Sequence, residues 1–115
     1  MDPVVLFERA ATDAADMVER VRPAQRSAPT PCSEWSVGEA TAGTAMDQVV
    51  HTWDLAVAIG GDRRLDPELV EAVVAMFLPQ MPDIGRRAGI VGPEVKVPDD
   101  APAQERLLGA MGRTP

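Results

Sequence analysis

Asp47 and His51 are the residues of this 115-residue chain whose types and spacing most readily do chemistry. They stand four apart in the run Asp47-Gln-Val-Val-His51-Thr-Trp-Asp54-Leu-Ala, and His51 is the single histidine. On a helix, side chains four apart lie one above the other on the same face. A carboxylate and an imidazole so placed can grip a divalent metal, and zinc accepts both ligand types. Two protein ligands are fewer than the three or four that such a site normally uses. The same pair also reads as a plain surface Asp–His contact, worth about a few tenths of a kcal/mol. Asp54 lies about one turn further on the same side. It could be a ligand, orient His51 through its free ring nitrogen, or bond a loop amide or an arginine.

A helix must carry these residues, and the sequence predicts one. Ser36-Val37-Gly38-Glu39 matches a capping box, and Gly60-Gly61 supplies a C-terminal stop. Between them Ala42, Met46, Val49, Val50, Trp53, Ala56 and Val57 form an apolar stripe. Asp47 and His51 fall well away from the centre of that stripe, so an inward-facing site would need a partner on the second face. An earlier amphipathic helix is predicted over 3–22, opened by Asp2-Pro3 and ended by Pro23. Its stripe is Leu6, Phe7, Ala10, Ala14, Met17, Val18 and Val21. Residues 23–35 read as a proline-containing loop, and Asp66-Pro67-Glu68 opens a third helix that stops before Pro79. Residues 80–88 could add a turn or two of helix, interrupted near Pro82. Residues 89–100 look irregular, with Val95-Lys96-Val97 at most a short edge strand. A final helix is predicted over 102–111. The expected fold class is all-α, a single domain over 1–115 with bundle helices in 1–60 and a C-terminal extension in 61–115.

Composition narrows the function. Hydrophobic residues make up 45% and charged residues 25%, as in ordinary globular domains, while aromatics are 3%. A core of Val, Leu, Ala, Met and Ile favours helices over a β-sandwich. The net charge of −7 would repel a phosphate backbone and an anionic membrane surface. No apolar run approaches the roughly 20 residues of a membrane span. One cysteine cannot form an internal disulfide, and the N-terminus lacks a signal-peptide pattern, so a cytoplasmic protein is expected. No nucleic-acid or membrane partner is expected. Trp53 reads as a packing residue, and Trp35 as a hydrophobic staple beside a helix cap. Cys32, in a proline-rich loop near a helix N-terminus, reads either as a reactive thiol or as a simply buried one. Arg63-Arg64 and Arg86-Arg87 read as solvated or capping groups. No phosphate-binding glycine loop and no Ser–His–Asp context are present.

Two blocks carry a family resemblance. Pro29-Thr-Pro-Cys32-Ser-Glu34-Trp35-Ser-Val37 and Val50-His51-Thr-Trp53-Asp54-Leu-Ala-Val-Ala-Ile-Gly60, continuing to Leu65-Asp-Pro-Glu-Leu-Val70, resemble actinobacterial DinB-like metal-binding proteins. The likeness is to those related to the N-terminal domain of mycothiol-dependent maleylpyruvate isomerase, and Gly92-Pro93 to Arg113 resembles their tail. The resemblance implies a four-helix bundle and a divalent metal, zinc or nickel, held by two histidines and an acidic residue. It also implies a low-molecular-weight thiol activated at that metal. Asp47 and His51 match the acidic residue and the second histidine. The first histidine would fall at Gly43, which has no side chain.

The two blocks are closer together than in that family. Only residues 36–49 separate Trp35 from Val50, as if the middle of the bundle had been removed. Two long bundle helices and a C-terminal helical extension remain. Leu55, Ala58 and Ile59 lie off the main stripe and leave a second apolar face. Large apolar patches are rare on monomers, so a homodimer that rebuilds a four-helix bundle is expected. Two functions follow: a DinB-like metal-binding protein with an incomplete triad, or a non-enzymatic helical protein that works by self-association.

Overall fold

The computed structural model describes residues 1–78 and 81–115, and those residues form helices and no strand. The all-α expectation is met. Contacts divide the chain into two compact units, Met1–Thr44 and Ala45–Pro115, so the division falls inside a helix.

In the first unit, helix α1 spans Pro3–Glu19. The Asp2 carboxylate accepts the amides of Val4 and Val5 at 2.8 and 3.4 Å, and Pro3 has no amide to satisfy. The helix stops three residues earlier than the spacing predicts. Pro23 drives the residue before it out of helical geometry, and Arg22 is extended at φ −84°, ψ 151°. Nothing on α1 is buried. A single 3-10 turn, Pro23–Gln25, leads into the loop, where the Gln25 side chain accepts the Arg22 amide.

Helix α2 spans Val37–Ile59. The capping box forms as predicted: the Glu39 amide donates to Ser36 Oγ at 3.3 Å, and the Ser36 amide to Glu39 Oε1 at 3.1 Å. The loop before it is tied down by Thr30, whose hydroxyl serves the Cys32 and Trp35 carbonyls. The Trp35 ring lies over Gly43, one turn further along than a staple contact, and a Cβ there would meet the ring at 2.7 Å. Gly43 is thus the small residue that makes room for an indole.

In the second unit, α2 ends in a left-handed glycine. Gly60 has φ +68°, and the amides of Gly60 and Gly61 bond back to Val57 and Ala56. Helix α3 spans Pro67–Phe77 and is opened by Asp66, which accepts the amides of Glu68 and Leu69. Helix α4 spans Met81–Arg87 without the interruption expected at Pro82. Proline costs nothing in a first turn, whose amides have no partner inside the helix. Position 80 of that expectation lies outside the described residues. Helix α5 spans Ala103–Ala110 and packs on α3. Val95–Val97 forms no strand; instead the Val95 amide donates to the Gly109 carbonyl at 2.9 Å.

Among the described residues the core of this unit is Met, Val and Leu with two aromatics. Met46, Val50 and Trp53 of α2, Val70, Val73 and Phe77 of α3, and Leu107, Leu108 and Met111 are all buried. Burying each such side chain is worth about 1.5–3 kcal/mol. This packing turns one side of α2 inward and leaves Asp47 and His51 facing water.

Candidate site on helix α2

Asp47, His51 and Asp54 project from one face of α2, about a quarter turn round the helix from the buried Met46, Val50 and Trp53. His51 does not pair with Asp47. Its Nδ1 lies 3.0 Å from Asp54 Oδ2, one turn ahead rather than one turn back. An ionised carboxylate only accepts, so Nδ1 is the nitrogen that donates in this contact. His51 is 65% exposed.

Asp54 is held harder from the other side. Arg113 Nε donates to Oδ1 at 3.0 Å and Nη2 to Oδ2 at 2.7 Å, a two-pronged pair across 59 positions of sequence. The Arg113 hydrogen bonds keep the Asp54 carboxyl below its ordinary range against an opposing effect of burial, and His51 adds to the lowering. Arg113 is pushed up chiefly by Asp54, with a smaller contribution from the charge of Asp47. Asp54 thus both orients His51 and bonds an arginine, two of the roles its position allowed.

The turn after α5 puts Arg113 there. Gly112 has φ +82°, its amide bonds to Gly109, and the Arg113 amide bonds to Leu108. Arg113 Nη1 also donates to the Met111 carbonyl at 2.8 Å. Sequence reasoning missed Arg113, although Gly112 just past the last apolar residue is a usable helix-stop signal. It missed Gln104 as well. That side chain accepts the Leu65 amide and donates to the Arg63 carbonyl, pinning the loop before α3 to α5.

The remaining candidates fall outside this site. Cys32 is exposed, in the first unit. Arg64 pairs with Asp62 at the surface, and Arg86 donates to the Ala110 carbonyl at 2.7 Å. The Arg86 contact satisfies a free carbonyl at the end of α5.

Among the described residues no three His, Cys, Asp or Glu side chains converge closely enough to hold an ion. Asp47 and His51 remain on one face, but both oxygens of Asp54 are occupied by a guanidinium. Among the described residues no helix is long and apolar enough to cross a membrane.

No family model matches the chain. It is similar to two uncharacterized proteins, from two strains of Mycobacterium tuberculosis, each at 24% identity with 99% of both chains covered. The match runs over 183 positions, more than the 115 residues here, so it carries gaps on this chain's side. No solved structure matches.

Proposed function

We propose that this protein is a shortened relative of the DinB-like bundles that acts by self-association rather than by catalysis. The observation that carries this reading is α1. It is a 17-residue amphipathic helix with none of its residues buried, and Leu6, Phe7 and Met17 are 56–60% exposed. Covering Leu6, Phe7, Met17 and Val18 would return about 1 kcal/mol for each half-exposed side chain, so roughly 8 kcal/mol for a symmetrical pair of helices. Association costs about 4–15 kcal/mol, so this stripe alone leaves at most about 4 kcal/mol, a weak millimolar pairing, and a micromolar dimer needs about 4 kcal/mol more from other apolar surface. Leu55 and Ile59 on α2, at 61% and 81% exposed, offer further apolar surface. The gapped match to longer relatives agrees with a bundle that has lost part of its middle.

Light scattering coupled to sizing tests the reading directly. Twice the chain mass at micromolar concentration, returning to one chain mass in Phe7→Glu, is the expected result. A monomer at every concentration sinks it.

A metal-binding reading retains one favourable observation, the exposed His51 side chain on the same face as Asp47. It requires a second chain to supply further ligands, and only in that reading would a low-molecular-weight thiol be a partner. Zinc or nickel in stoichiometric amount on the dimer, lost in His51→Ala, would favour it.

A further inference from the structure

Arg113 is the group on this face with the most complete set of partners. Its guanidinium meets both oxygens of Asp54 with one edge and the Met111 carbonyl with Nη1, while its own amide is fixed to Leu108. Side-chain exposure is 27% for Arg113 and 32% for Asp54, so the pair is partly withdrawn from water. The turn that aims it depends on Gly112, because a Cβ at this positive φ would be strained and would lie 3.3 Å from backbone atoms of Gly92 and Pro93. A guanidinium matches a carboxylate edge to edge, which an ammonium cannot do. The carboxylate most useful for completing a ligand set with Asp47 and His51 is therefore committed to a cation that the chain carries itself.

We propose that Arg113 is a built-in cation that satisfies the acidic face of α2 in place of a divalent metal and latches the C-terminal turn to that helix. The latch is a property of the single chain and does not depend on self-association. It also accounts for the position of His51, because the carboxylate that fixes Nδ1 is itself fixed by Arg113.

Thermal unfolding of the full chain, at one protein concentration, tests this. Arg113→Met and Asp54→Asn are each expected to lower the midpoint by about 2–5 °C, and the double variant by no more than either alone. Arg113→Lys, a milder change that keeps the charge, should recover only part of the loss. Chelator, or one equivalent of zinc or nickel chloride, should leave the wild-type midpoint unchanged. Additive single-variant losses, full rescue by lysine, or a wild-type midpoint that rises with metal would each overturn the proposal. Sizing of the same samples separates this result from the association reading.

Discussion

Gly43 shows what one residue decides in this chain. The family resemblance marks it as the place where a ligand histidine would stand. The structure gives the space above it to the Trp35 ring, 2.7 Å from where a Cβ would sit. Gly43→Ala should displace that ring toward solvent and red-shift tryptophan emission. Overpacking costs about 1–3 kcal/mol, while replacing a mid-helix glycine returns up to about 1 kcal/mol. A net loss of about 0.5–1.5 kcal/mol in urea unfolding is therefore expected, and unchanged emission would contradict the packing role. Glu39 gives a pH signature. Its hydrogen bonds to the Ser36 backbone and hydroxyl region hold its carboxyl below the ordinary value. A carboxyl lowered on folding stabilises above its unfolded pKa and loses that contribution as pH falls through its folded pKa. Stability should therefore decline as pH drops through and below the ordinary glutamate range. Glu39→Gln keeps an acceptor for the Ser36 amide, so the slope should flatten while stability near neutrality changes little.

The helices were readable to different degrees, for physical reasons visible at their ends. Asp2, Ser36 and Asp66 cap as their spacing predicts, because a cap is a local bond between a side chain and amides two or three residues away. Pro23 shortens α1, while Pro82 opens α4 instead of breaking it. Whether proline interrupts or starts a helix depends on where the first turn falls, which spacing alone did not locate. At α5 the decisive contact is not local. The Val95 carbonyl sits where a Cβ on Gly109 would have to go, and the neighbouring Val97 side chain is 3.2 Å from it. Gly109→Ala should force the 92–98 segment off α5 and cost about 2–3 kcal/mol. Chemical denaturation would show it, with no loss arguing that the segment is not held there.

At the scale of the molecule, the two units differ in how well they bury apolar groups. Among the described residues the second has nine buried hydrophobic side chains, whereas α1 in the first has none. A dimer that forms through α1 stabilises the folded chain by mass action. The unfolding midpoint should therefore rise with protein concentration in the wild type and stay flat in Phe7→Glu. A flat wild-type midpoint would count against self-association.

The sequence by itself determined the helical class, the caps, the inward stripe of α2 and the placing of Asp47, His51 and Asp54 on one face. These follow from periodicity and from bonds spanning a few residues, which need no knowledge of the rest of the fold. Tertiary structure decided what those side chains do with one another. His51 meets Asp54 rather than Asp47, and Asp54 is held in turn by Arg113, 59 positions away, which Gly112 places by turning the chain back after α5. A contact of that range depends on how α5 docks, and no spacing within α2 encodes it.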